Sequence, residues 1–301
     1  MAETEVSTLA AHLALLRAEL PFARLTRVVD VGANPLLDAA PYAALLRLGG
    51  CDVVGFEPQD KAFAALMRDK GPNETYFPHA VGDGSAQILH LYTSQGFASV
   101  FPPNPEARIL ATGDWQEITA KVPFQTVRLD DLDTLGAVDL IKIDIQGGEA
   151  AVLAHALGAL GEAVVVITEQ RYFRLYEGEP MAAGVDAVLT AQGFAIHKLL
   201  SINSFQLNSS RRKFLAREAT ADQAVDGDVA YIRNPAGIAG WSDQQVLHLT
   251  LLASLVLESH SLVLYCLDEA VRRGLARRNL ADAYLRLLPD HLLSPKFKAV
   301  K

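Results

Sequence analysis

Val28-Val29-Asp30-Val31-Gly32-Ala33-Asn34 and, about one βαβ unit later, Val53-Val54-Gly55-Phe56-Glu57-Pro58 are the stretches on which the fold turns. Each is a short apolar run that stops abruptly, the first at a glycine turn and the second at an acid followed by proline. A continuous run of this length is how a strand reads when helices cover both faces of a parallel sheet. The alternation extends outward from these two runs. Helix-length segments 38–48 and 60–70 follow them, and further strand-like runs occur at 75–81, 140–145, 163–168 and 194–199. Helices are predicted at 149–157 and 182–191. Six parallel strands result, with a late antiparallel one at 228–233 ahead of Asn234-Pro235. The predicted class is α/β.

The rhythm breaks between Gly84 and Arg128, where Ser94-Gln95-Gly96, Pro102-Pro103-Asn104-Pro105 and Thr112-Gly113-Asp114 are turn formers. Long irregular connections in a compact domain are usually functional. With Phe97, Phe101 and Trp115 inside it, this insertion is predicted to be a lid or substrate-facing flap. The N-terminus reads as an amphipathic helix, with Leu9, Leu13, Leu16 and Leu20 on one face and Thr4 or Ser7 as its cap. It has no basic leader before an apolar run, so it is not a signal peptide. Ser242 to Leu288 is nearly free of glycine and proline and reads as two or three helices, with a break near Glu258 to Ser261, a stop at Gly274 and a cap at Asn279. Val246 to Leu267 is apolar enough to raise the question of a membrane span. His248, Glu258 and His260 are costly at that depth, and no stable insertion is expected.

Twenty-seven Lys and Arg stand against 35 Asp and Glu, a formal charge of −8, which argues against a nucleic-acid partner. Only Cys51 and Cys266 occur, far apart, so neither a disulfide framework nor a thiolate zinc site is available and a reducing cytoplasm is expected. Glycine directly after a buried strand permits close approach to backbone, and an acid closing the next strand can accept both hydroxyls of a ribose. The nicotinamide fingerprint needs three glycines, of which only Gly32 is present, and no phosphate-cradling Gly-Lys-Ser or Gly-Lys-Thr occurs. A nucleoside without a pyrophosphate fits better than NAD, and S-adenosylmethionine is one.

Val29-Asp30-Val31-Gly32-Ala33-Asn34, Glu57-Pro58, Ala80-Val81-Gly82-Asp83, Val127-Arg128-Leu129-Asp130-Asp131-Leu132 and Leu140-Ile141-Lys142-Ile143-Asp144-Ile145-Gln146-Gly147-Gly148-Glu149, in that order, resemble the FkbM family of S-adenosylmethionine-dependent methyltransferases. The resemblance runs from about Arg27 to Asn234. It implies a seven-stranded class I (Rossmann-like) methyltransferase sheet and transfer to oxygen, typically a hydroxyl of a sugar, glycan or polyketide-like small molecule. It says nothing about the helices after Pro235; the expected organisation is an N-terminal helix over 1–24, a methyltransferase domain over 25–235 and a helical extension over 236–301. Two positions depart from the family pattern. Pro35 and Leu36 stand where another glycine is usual, and Gln146 stands where an acid is usual after Asp144 and its hydrophobic neighbour. These departures favour the alternative of a methyltransferase-like binding or assembly protein without catalysis.

On this reading Asp30, Gly32, Ala33, Asn34, Glu57, Pro58, Val81 and Asp83 hold the cofactor, and Asp144 and Glu169 are the catalytic candidates; no metal ligands are assigned. Asp30 could accept from the cofactor's amino group, orient the turn's own amides or cap the following helix. Asp83 could face the adenine amino group or serve a plain turn before Gly84. Glu169 could bind an acceptor hydroxyl or pair with Arg171 or Arg174. Glu149, in the first turn of a helix, reads as an acid offsetting the dipole and capping free amides. Lys142, inside a buried strand, is expected to snorkel or pair with a neighbouring acid. His79 is a candidate site residue, His155 a mid-helix surface histidine, and Arg211-Arg212-Lys213 could meet an acidic acceptor or, more cheaply, form a solvated edge strand. A homodimer through the C-terminal helices is expected.

Overall fold

The computed structural model describes residues 3–35, 39–111 and 115–298. Leu36, the start of the 38–48 helix and the Thr112-Gly113-Asp114 turn lie outside the described residues, as does the side chain of Thr4. In chain order the elements are α1 (Glu3–Glu19), β1 (Thr26–Val31), α2 (Ala43–Arg47), β2 (Cys51–Phe56), α3 (Asp60–Asp69), β3 (Glu74–Phe77), β4 (Ala80–Val81), β5 (Ala86–Tyr92), β6 (Ile118–Val127), β7 (Leu140–Ile143), α4 (Glu149–Ala154), α5 (Leu157–Glu162), β8 (Val165–Arg171), α6 (Ala182–Ala191), β9 (Phe194–Leu199), β10 (Asn203–Phe205), β11 (Gln223–Arg233), α7 (Asp243–Leu255), α8 (His260–Arg272), α9 (Leu280–Leu287) and α10 (Pro295–Lys298). The chain divides into two compact units. One comprises Val28–Asp38 and Val54–Arg233, the other Met1–Arg27, Ala39–Val53 and Asn234–Lys301.

The main sheet runs β10-β11-β8-β7-β1-β2-β3, with β9 also paired to β11. β7 lies parallel to both β1 and β8, and β11 runs antiparallel to β8. β9 pairs with Val229–Arg233 of β11 and β10 with the Gln223–Asp226 stretch, so two short strands share one position beside β11. That is a seven-position class I sheet. The late antiparallel strand predicted at 228–233 is inserted between β8 and β9 and begins earlier than expected, at Gln223. Strand order reverses between β1 and β7, where open α/β sheets bind their ligands beyond the carboxyl ends of the strands. The core beneath is built from the apolar runs themselves: Val29, Val31, Ile141, Ile143, Val166 and Val229 are each at most 1% exposed.

Four expectations need correction here. The predicted 75–81 strand is divided by Pro78 into β3 and β4, and β4 belongs to a second sheet, β4-β6-β5. The 84–128 insertion is partly regular: β5 and β6 pair antiparallel over Ala86–Tyr92, with Pro123 opposite Ile88. Pro123 and the mostly exposed pattern of β6 hide that strand from a reading by apolar runs. The predicted 149–157 helix ends at Ala154, and Leu157 opens a separate helix, α5. Arg211-Arg212-Lys213 lies in a 3₁₀ turn over Arg212–Phe214 instead of on an edge strand.

In the other unit α1 buries Leu9 and Leu16, with Leu20 buried just past its end, while Ser7 lies inside the helix and is not its cap. Ser242 and Gln245 form a reciprocal capping box that starts α7. Every α7 residue from Val246 to Leu255 is buried, which accounts for the long apolar run without a bilayer. No helix among the described residues is long and apolar enough to cross a membrane. The chain turns between α7 and α8 at Glu258, whose φ is 46°, and leaves α8 at Gly274, φ 75°. Asn279 occupies the N-cap position of α9, but its Oδ1 accepts from Arg277 Nη1 at 2.6 Å and makes no cap bond. Cys51 and Cys266 are buried thiols not joined in a disulfide.

Candidate active site

The site is assembled from strand ends. At the end of β1, Gly32 has φ 79°, and a Cβ there would stand 2.2 Å from the Asp144 carbonyl oxygen. Glycine is therefore demanded by the protein's own β7 terminus, a nearer neighbour than any ligand would need to be. The turn is fixed by the Gly32 and Ala33 amides, which donate to the Phe56 carbonyl at 3.0 and 3.1 Å, and by Asn34 N donating to Gly32 O at 2.9 Å. Asp30 is 3% exposed, and Lys142, its partner across the β1/β7 register, brings Nζ to 3.4 Å from Asp30 Oδ1 and 3.3 Å from Gly32 O. Burial pulls the Lys142 ammonium down, but Asp30 and Asp144 outweigh it and its pKa is raised on balance. Lys142 thus pairs with a neighbouring acid.

Glu57 closes β2 and is 2% exposed. Its Oε1 accepts from Gln59 N at 2.8 Å, and its Oε2 has no hydrogen-bond partner among the described residues. Burial pushes its carboxyl above the usual range, partly offset by the Gln59 amide, with Asp30 adding to the rise. Beside it opens a cavity of about 180 Å³. Phe56, Val81, Ile145, Leu89, Val122 and Phe124 give it apolar walls, with Gly32, Pro58, His79, Asp83 and Thr126 also lining it. The β5/β6 ribbon therefore supplies one wall. His79 stacks on Phe77 with rings 5.9 Å apart and 3° from parallel. Asp30, Ala33 and Glu57 adjoin lining residues in sequence without lining the cavity themselves, and Asn34 lies one residue further along. The Asp83 carboxylate is turned to its own loop: Oδ1 accepts from Ser85 N at 2.9 Å and Ser85 Oγ at 2.6 Å, which pulls its pKa down. The turn role is the one its side chain fills.

Next to the cavity, register brings carboxylates together. Ile143 pairs with Thr168, so continuing β7 and β8 by one residue sets Asp144 beside Glu169, and Glu169 faces Asp228 across β11. Oxygens of Asp144, Glu149 and Glu169 lie within 4.8 Å of one another. They are wired internally. Glu149 Oε1 accepts from Ile145 N at 2.9 Å and its Oε2 from Gly147 N at 2.9 Å, so this buried acid clamps the loop that opens its helix. Gln146, with φ 58°, aims its carboxamide between the other two: Nε2 lies 3.1 Å from Asp144 Oδ1 and 2.9 Å from Glu169 Oε2. Arg171 donates to Gln146 Oε1 at 3.2 Å, Glu169 Oε2 at 3.0 Å and Asp226 Oδ2 at 2.7 Å, and stands 3.3 Å from Glu179 Oε2. Burial and then the Asp144 charge push Glu169 well above the ordinary carboxyl range, with Arg171 opposing. Burial and the same Asp144 charge raise Asp228.

Sequence reasoning found Asp144 and Glu169 but missed Asp226, Asp228, Glu179 and the bridging role of Gln146. Asp226 and Asp228 reach the rim because β11 runs antiparallel, so its beginning lies where the other strands end; the register of that strand was the missing signal. His155 caps the end of α4 with Nδ1 2.8 Å from Ala151 O, on the exposed surface as expected.

Residues 30–196 match the model of the methyltransferase FkbM domain, a span that includes every strand end described above except those of β9 to β11. The chain is 28% identical over 170 residues to 2-O-methyltransferase NoeI of Sinorhizobium fredii, covering 53% of this chain and 69% of that protein. Among solved structures, magnesium protoporphyrin IX methyltransferase from Synechocystis PCC 6803 aligns with a TM-score of 0.35 and 12% identity over 77% of this chain and 80% of its own. An uncharacterized protein from Listeria monocytogenes aligns with a TM-score of 0.36 and 12% identity over 96% of this chain and 100% of its own. A glycine turn after β1, an acid closing β2 and the Asp144 to Glu149 loop at the switch in strand order are thus features of a chain that belongs to the FkbM family of S-adenosylmethionine-dependent methyltransferases.

Proposed function

We propose that this chain moves a methyl group from S-adenosylmethionine to a hydroxyl of a sugar, glycan or polyketide-like small molecule, with the adenosine held at Glu57 and the adjoining cavity. The observation that carries the reading is the buried Glu57 carboxylate, one oxygen engaged by Gln59 and the other without a donor among the described residues, beside apolar walls suited to a flat heterocycle. A ribose diol would supply the missing donors. Val81 and Pro58 would face the base, and Gly32, Ala33 and Asn34 the methionine end; Asp30 is proposed to act through Lys142 and the turn. The name of the Sinorhizobium relative, a 2-O-methyltransferase, supports a hydroxyl acceptor here.

The bound cofactor supplies a methyl on a sulfonium sulfur, which leaves as a thioether. What remains for the protein is to hold the acceptor oxygen in line and to take its proton. Orientation alone can account for as much as about 7–11 kcal/mol of a barrier. Asp144 and Glu169 are the proposed proton acceptors, side by side at the strand ends next to Ile145 and Gly148 of the cavity wall. A thermal-shift experiment tests the cofactor assignment. A ligand at 100 times its Kd adds about 2.7 kcal/mol to stability, so S-adenosylmethionine and S-adenosylhomocysteine should raise Tm while NAD should not. No rise with either of the first two would overturn the reading.

A further inference from the structure

Gln146 stands where the family usually has an acid, yet its surroundings are tightly organised. Its φ of 58° is a conformation that non-glycine residues adopt at a cost, and the chain holds it there at three points. The backbone carbonyl accepts from the buried Ser99 hydroxyl at 2.6 Å. The side-chain Nε2 reaches Asp144 Oδ1 and both oxygens of Glu169 at 2.9 to 3.1 Å. The side-chain Oε1 accepts from Arg171 at 3.2 Å, with the Tyr176 hydroxyl 3.4 Å away. Only a carboxamide can do this: it donates to two carboxylates with one end and accepts from a guanidinium with the other.

We propose that Gln146 is a positioning residue that holds the Asp144 and Glu169 carboxylates side by side without adding a third negative charge, so that the pair gives up its shared proton at a lower pH than it would with an acid in that place. Its bearing on catalysis rests on the methyl-transfer reading; the electrostatic statement does not. The other titratable groups facing the pair are Glu149 from α4, Asp226 and Asp228 from β11, Lys142 from β7, Arg171 from β8 and the buried Tyr176 hydroxyl. Acids outnumber bases in that set. Two carboxylates that share a site already compete for one proton, and a third in place of Gln146 would retain it to higher pH. The amide donors do the opposite, since hydrogen bonds to the charged form favour it.

The test is a carbon-13 carboxyl NMR titration of the full chain, with the Asp144 and Glu169 signals assigned through Asp144→Asn and Glu169→Gln. Wild type is compared with Gln146→Glu and Gln146→Ala. The expected order of apparent midpoints for the pair is wild type, then Gln146→Ala, then Gln146→Glu, with the last raised by about one pH unit or more. A midpoint in Gln146→Ala equal to that of wild type overturns the proposal, whether or not the Glu variant folds; a merely structural role would lower stability without moving it. S-adenosylhomocysteine binding by wild type is measured alongside. Its absence would sink the methyl-transfer reading and leave the titration result standing.

Discussion

At the scale of single residues, Glu57 and Asp144 separate binding from chemistry. The Glu57 carboxyl is destabilised by burial, so a neutral isostere should relieve that cost in the free protein and do harm only where a ligand donates to the carboxylate. Glu57→Gln is therefore expected to keep or slightly raise the Tm of the free protein while weakening S-adenosylhomocysteine at least about tenfold, the cost of losing a hydrogen bond to a charged acceptor. Calorimetric titration and a melting curve on the same variant check both signs; a fall in Tm with unchanged affinity would make Glu57 a structural residue. Asp144→Ala is expected to hold S-adenosylhomocysteine within about tenfold and to abolish methyl transfer, because its side chain accepts from Gln146 beside Glu169 and does not line the cavity. Methyl transfer retained in that variant, followed by mass spectrometry of the product, would remove Asp144 from the proton-accepting role.

At the scale of elements, the alternation of apolar runs was enough to read β1, β2, β7 and β8, because a strand covered on both faces cannot hide its composition, and β9 was read from its apolar run although much of it is exposed. β5, β6 and β10 escaped, being exposed, interrupted by Pro123 or only three residues long. The candidate site was legible where it lies at the carboxyl end of a parallel strand, as Asp30, Glu57, Asp144 and Glu169 do. It was illegible where pairing geometry brought residues in, as with Asp226 and Asp228, since no local pattern encodes antiparallel insertion beside β8. β8 and β11 are tied across that pairing by Arg171, whose guanidinium is 3% exposed and bonded to Asp226 and Glu169. Removing a buried cation strands its carboxylates, at a cost of about 3–5 kcal/mol. Arg171→Met is expected to lose that much in urea denaturation at pH 7 and to recover part of it at pH 5, where the stranded acids take up protons. A loss below about 1 kcal/mol would mean the web contributes little.

Across the whole molecule, the two units should answer acid in opposite senses. In the sheet-bearing unit Glu57, Glu169 and Asp228 have folded pKa values raised above their ordinary ones, chiefly by burial, so protons bind the native state more readily than the unfolded chain and acidification favours folding there. In the helical unit His12 and His248 are 1% and 0% exposed. His12 packs against Tyr284 with ring centroids 4.7 Å apart, and His248 Nδ1 lies 2.9 Å from the Thr26 hydroxyl. Burial, with His260 adding to it, pushes His12 down to about 4, and burial with Arg24 and Arg17 pushes His248 down to about 3. These histidines stay neutral when folded and charge when unfolded, so their stabilisation is complete above the ordinary histidine pKa and is lost as pH falls below it. Each proton taken up only on unfolding removes about 1.4 kcal/mol per pH unit. Amide hydrogen exchange, corrected for its intrinsic rate, should therefore show α1 and α7 losing protection between pH 7 and pH 5 while β1, β7 and β8 keep theirs. His12→Phe, which retains the ring against Tyr284, should halve the slope for the helices; an unchanged slope would mean that neither histidine governs it, and protection lost equally in sheet and helices would refute the opposed response.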